Sequence, residues 1–149
     1  MAKGGEITKY MIEEHGKILT LLANFKKNAY NEKAVESFKE LKDKQDNHVF
    51  AEERAIMMLI KEGKKFKDIT TILKQHEELH DIVRALNEKI EKGLGEFDFN
   101  LKNLLELMKV HIVLENSSFY PELDKNLAAD QKKMILSKIK EVIIGNIRM

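Results

Sequence analysis

The chain contains no cysteine, no tryptophan and a single proline among 149 residues. Without thiols there are no disulfides, no thiolate-bound metals, no iron–sulfur ligation and no thiol nucleophile. One proline and seven glycines leave little to interrupt helices. An excess of one charge is also missing, since 26 basic residues stand against 25 acidic ones. That balance supplies no electrostatic pull toward nucleic acid or an anionic membrane, so neither is expected as a partner. The longest apolar run, Ala55 to Ile60, is far too short to span a bilayer. The start, Met-Ala-Lys-Gly-Gly-Glu, lacks the apolar region of a secretory signal, and a cytoplasmic protein is expected.

What remains is a helical profile. With 43% apolar and 34% charged residues, the chain suits one globular domain, 1–149, with well-solvated helix faces. Apolar residues recur at helical spacing over about Ile7 to Phe25, Glu32 to Ile60, Asp68 to Lys92, and Asp98 to a break ahead of Pro121. On the first stripe lie Met11, Ile12, His15, Ile18, Leu19 and Leu22. The second runs through Val35, Phe38, Leu41, Gln45, His48, Glu52, Ile56 and Leu59. Asp68 suits a helix N-cap, and Gly63, Gly93 and Gly95 suit helix ends. Long helices with short connections predict an all-α, antiparallel up-down four-helix bundle over about 7–123. A fifth amphipathic segment, about 128–147, would dock on the bundle or on a second copy of the chain.

The five histidines carry the functional signal. His48-Val-Phe-Ala-Glu52, His76-Glu-Glu-Leu-His80 and His111-Ile-Val-Leu-Glu115 each place two metal-ligating side chains four residues apart, and His15 stands alone upstream. Residues four apart share a helix face. With 25 acidic residues in the chain, a single His-x-x-x-acid match is about a one-in-six accident. Three such pairs on three successive helical segments, all within apolar stripes, are far more specific. Five imidazoles and two carboxylates in one interior would be costly to desolvate without a compensating cation. Seven nitrogen and oxygen donors exceed what one zinc takes, divide naturally over two metals, and suit iron, manganese or zinc rather than copper(I).

In this order and spacing, the set resembles the hemerythrin-like, or HHE cation-binding, family, from about Tyr10 to Pro121. The resemblance implies a binuclear non-haem iron centre with an oxo or hydroxo bridge. His76, His80 and His111 would hold one iron, His15 and His48 the other, and Glu52 and Glu115 would bridge. The second iron would keep an open position for O₂ or another small diatomic or peroxide ligand. Oxygen-carrying hemerythrins end in His-x-x-x-x-Asp, whereas this chain has His111-x-x-x-Glu115. That ending resembles iron-sensing and iron–sulfur-repair branches, of which the repair proteins carry a cysteine-bearing N-terminal segment missing here.

Two other motifs compete. His76-Glu77-Glu78-Leu79-His80 is a literal zinc-protease signature, but Val83 and Leu86 replace the Gly and His of its longer form, and no strand pattern supplies a cleft. A ferritin-like site requires Glu-x-x-His on two helices, and only Glu77 to His80 fits. Tyr10, Tyr30, Tyr120 and Met108 are expected as core or interface residues, with Tyr10 as a candidate behind the ligands. Leu19, Leu22, Ile56, Met108 and Leu114 are the expected pocket walls. The expected functions are O₂ binding, storage or sensing, with a di-iron enzyme handling peroxide or nitric oxide, or an iron sensor or store, as alternatives.

Overall fold

The computed structural model describes residues 5–93 and 95–148, so the chain's opening at 1–4 lies outside the described residues. Helices α1 (Glu6–Asn28), α2 (Ala34–Lys61), α3 (Ile69–Glu91) and α4 (Asp98–Leu114) follow in order. A π-helical turn (Glu115–Phe119) then leads into α5 (Tyr120–Asn126) and α6 (Ala129–Ile144). Among the described residues there is no strand.

Two apolar clusters show how the helices run. One gathers Met11 of α1, Ile56 of α2, Ile72 of α3 and Leu123 of α5. The other gathers Leu22 of α1, Phe38 of α2, Leu86 of α3 and Leu104 of α4. The late half of each helix therefore meets the early half of the next, which is the antiparallel up-down bundle. Between the clusters lies a belt of buried histidine and glutamate.

The buried stripe of α1 is Ile7, Met11, His15, Ile18, Leu22 and Phe25. It is a narrow seam, and the flanking Ile12 and Leu19, expected to face inward, are 41% and 45% exposed. Val35, expected at the inner start of the second helix, is likewise exposed. Gly63 and Gly93 adopt left-handed backbone just past α2 and α3, where a side chain would be strained. Asp68 does not cap α3 through its side chain; its carboxylate instead accepts the Ser118 hydroxyl at 2.6 Å.

The fifth amphipathic segment docks on its own chain. Ile135, Leu136, Ile139, Val142 and Ile143 of α6 join the first apolar cluster. The Asn47 amide of α2 donates to the carbonyls of Val142 and Ile147 at 3.0 and 2.9 Å, fastening the end of that helix.

Helix α1 has no capping side chain of its own, because Gly5 stands at the N-cap. Asp124 of α5 supplies the cap across the fold. Its carboxylate accepts the backbone N–H groups of Gly5 (2.8 Å), Ile7 (3.2 Å) and Thr8 (2.8 Å), and the Thr8 hydroxyl at 2.6 Å. An anion at this end also opposes the helix dipole favourably. Asp124→Ala should cost about 2–3 kcal/mol in urea unfolding, because it removes a charged acceptor serving several buried donors. A loss under about 0.5 kcal/mol, the scatter of neutral surface changes, would show that water caps the helix equally well.

Candidate metal centre

Each of the four long helical columns contributes side chains to the belt. His15 comes from α1, His48 and Glu52 from α2, His76 from α3, His111 from the last turn of α4, and Glu115 from the start of the π turn. All six residues are at most 4% exposed. They fall into two overlapping donor groups, His15, His48, Glu52 and Glu115, and Glu52, His76, His111 and Glu115. Within each group the donor atoms lie within 4.8 Å of one another. Both glutamates belong to both groups, so two positions would share two carboxylates.

Three histidines are held the same way. The Nδ1 of His15 lies 2.7 Å from Asn116 Oδ1, that of His76 lies 2.7 Å from Glu53 Oε2, and that of His111 lies 2.7 Å from Gln75 Oε1. An Nδ1–H donated outward fixes the ring and leaves Nε2 facing the centre, the usual arrangement behind a metal-bound histidine. There Nε2 of His15 is 3.0 Å from Glu115 Oε1, and Nε2 of His76 is 2.8 Å from Glu52 Oε1. Sequence reasoning missed Glu53, Gln75 and Asn116. Each adjoins a candidate ligand in sequence, but adjacency alone does not say which neighbour turns back toward the ring.

The two glutamates favour positive charge on the imidazoles that face them. Burial opposes charge on both His15 and His76, but their carboxylate contacts outweigh it. His15 is raised by Glu115 and Glu52, and His76 is pushed up to about 10 by Glu52 and Glu53. Burial likewise pushes the Glu115 carboxyl up, yet the His15 hydrogen bond and the nearby His111 imidazole hold it well below the usual carboxylate range. His48 has no such support. Burial and the nearby His15 hold it well below its ordinary value, and neither ring nitrogen has a hydrogen-bond partner. His111 Nε2 and Glu115 Oε2, 3.2 Å apart, are also buried without a hydrogen-bond partner. Buried polar atoms seldom go unpaired. Imidazole and carboxylate atoms left unpaired and converging are the donors a cation would satisfy, so the residues fit a metal group.

His80 is not among them. The buried stripe of α3 is Ile72, His76, Leu79, Val83 and Leu86, with Leu79 at 1% exposure. At about 100° per residue, His76 lies about 40° and His80 about 80° from Ile72 at its centre. The His80 side chain is 66% exposed, 3.9 Å from Asp81. Spacing of four does put both histidines on one side of the helix, but only His76 falls under the neighbouring helices. The same geometry removes the protease arrangement, because His76 and His80 do not converge.

Tyr120 stands in the belt instead. It is 1% exposed. Its hydroxyl contacts Glu52 Oε2 and lies 3.0 Å from Glu115 Oε1 and 3.4 Å from His15 Nε2. In an α-helix, residues 115 and 120 would point about 140° apart. The π turn, closed by the Tyr120 N–H to the Glu115 carbonyl, brings both to one face. It also carries the helix through Pro121, where a break was expected, with the proline in the first turn of α5. Tyr10 stays at the periphery, its ring 5.3 Å from the Lys140 ammonium. Of the expected walls, Leu22, Ile56 and Met108 are buried, Leu114 is half-buried, and Leu19 lies on the surface.

A family model described as the hemerythrin HHE cation binding domain matches residues 6–123, from the start of α1 into α5. No curated protein and no solved structure shows a significant match. Among the described residues no helix is long and apolar enough to cross a membrane.

Two outcomes follow from the protonated centre and the outward histidine. His76 binds its proton more tightly folded than unfolded, so its contribution to the stability of metal-free protein is full below pH 6.5 and lost as pH rises to about 10. Metal-loaded protein should show the opposite trend, losing metal and stability on acidification; parallel trends in melts from pH 6 to 10 would contradict this. His80→Ala should leave bound metal unchanged, whereas His111→Ala should weaken metal binding by tenfold or more, read by competition with a chelator. Equal losses in the two variants would mean that His80 swings inward.

Proposed function

The chain belongs to the hemerythrin HHE cation-binding domain family, and on that premise we propose that it is a binuclear non-haem iron protein whose centre binds O₂ for storage or sensing. The observation that carries this reading is the pair of donor groups that overlap in Glu52 and Glu115. His15 and His48 would serve one iron, His76 and His111 the other, and the two glutamates would bridge. With His80 at the surface, each iron would be held by two imidazoles rather than an unequal three and two. Two ferrous ions would supply the two electrons that O₂ takes up on binding.

The protein's own part is to orient, shield and hold protons. Asn116, Glu53 and Gln75 lock three imidazoles with Nε2 inward. The apolar clusters above and below keep bulk water from the belt, which strengthens every charge interaction inside it. A groove of about 520 Å³ between α2 and α3 reaches the outer side of His76 at Glu53 and carries His80 on its lining. Burial and the charges of Glu115 and Glu52 push the Tyr120 phenol well above its usual value, so it holds its proton and donates to the carboxylates.

That phenol favours a second reading, an oxidoreductase of peroxide or nitric oxide, because a polar, ionisable group against the shared carboxylates serves turnover more than reversible binding, which needs apolar walls. Elemental analysis should find two irons per chain, and one zinc without iron would overturn the assignment. Protein reduced without air and then given O₂ distinguishes the uses. A spectral change that reverses under vacuum supports storage or sensing. Rapid conversion to the ferric spectrum with turnover of added peroxide supports the enzyme. Reduced, iron-loaded protein that ignores both would refute both readings.

A further inference from the structure

We propose that the Tyr120 oxygen is itself a ligand of the centre, a tyrosinate joining the four imidazoles and two carboxylates. The inference rests on the binuclear reading above and adds to it a residue that changes what the centre does. Tyr120 meets both shared carboxylates and approaches His15, so its oxygen lies among the donors of the His15 and His48 side. No other tyrosine comes near: Tyr10 lies against Lys140 and Tyr30 is 58% exposed beside Asp98.

The placement is costly in ways a core tyrosine would not require. The chain departs from α-helical geometry for five residues, Glu115–Phe119, and that departure brings Tyr120 onto the face of Glu115. A continuous α-helix would carry Tyr120 away from the carboxylates. π turns occur mostly as single insertions and often at functional sites. The donor count agrees. With His80 at the surface, imidazole and carboxylate ligands are fewer than the sequence promised, and a phenol oxygen stands within the belt.

Ligation balances simply. The phenol O–H bond breaks, an oxygen–iron bond forms, and the proton leaves to solvent. No electron is transferred in that step. A hard ferric ion prefers an anionic oxygen donor, and the added negative charge stabilises the ferric state relative to the ferrous one. The centre would then hold its oxidised form more firmly than an all-imidazole-and-carboxylate centre, which among the uses proposed above favours sensing or turnover over storage.

The test is optical, on iron-loaded, air-oxidised protein. Tyrosinate bound to ferric iron gives a visible charge-transfer band, identified by tyrosine ring modes in its resonance Raman spectrum; imidazole, carboxylate and an oxo bridge give no such modes. The wild type should show the band. Tyr120→Phe should lose it while keeping its iron, and should release one proton fewer per chain on metal binding, measured by calorimetry in buffers of different ionisation enthalpy. The chain has three tyrosines, so a Tyr10→Phe, Tyr30→Phe double variant keeps Tyr120 alone and should retain the band, which decides the matter even if Tyr120→Phe folds poorly. Iron-loaded wild type without the band, or the band surviving in Tyr120→Phe, or its loss in the double variant, would overturn the tyrosine ligand. The first of these leaves the di-iron reading intact. Protein that takes up no iron by elemental analysis would refute both.

Discussion

Two carboxylates buried in the middle of a helical bundle are the constraint on which the rest of this structure depends. Glu52 and Glu115 are 2% and 0% exposed, and a buried anion is tolerated only when paired and hydrogen-bonded. Everything around them supplies positive charge or donors: His15 and His76 hold protons against burial, His111 lies beside Glu115, and Tyr120 turns its hydroxyl inward. The belt divides the apolar interior into two clusters. Each cluster closes one end of the belt, so the hydrophobic packing that stabilises the bundle also keeps the polar layer dry.

The polar layer extends outward in a definite order. Behind each of three imidazoles stands an amide or carboxylate oxygen from Asn116, Glu53 or Gln75. These partners remove the freedom of the rings to flip, and they leave one nitrogen per ring for the interior. His48 lacks such a partner, and both its nitrogens are unpaired. It is the least restrained of the four and the one that gains most from a cation.

Helix positions were largely legible because apolar periodicity is a local signal. The ranges expected for the five amphipathic segments agree with α1 to α4 and α6 to within a few residues, apart from the passage through Pro121. A lone proline reads as a stop because it lacks the N–H and crowds the preceding turn. Here the π turn just before it absorbs that conflict, and such an insertion leaves no periodic trace in five residues of Glu-Asn-Ser-Ser-Phe. Tyr120 was hidden for the same reason, since α-helical counting from Glu115 points it elsewhere. The Asp124 cap on α1 was invisible for another: its donors lie more than 110 residues away in sequence.

By itself the sequence determined the helical class and the presence of a buried histidine and glutamate layer, which follow from spacing along each helix, and the up-down order, which follows from short connections between helices. It could not determine how much of each face the neighbouring helices cover. His76 and His80 share one side of α3 by their spacing, but only packing against the other helices makes the one nearer the stripe centre an interior group and leaves the other in solvent. Likewise only the assembled bundle decided that α6 covers its own chain and that Glu53, Gln75 and Asn116 turn toward the rings. Those outcomes depend on distances between segments far apart in the chain, and local periodicity carries no record of them.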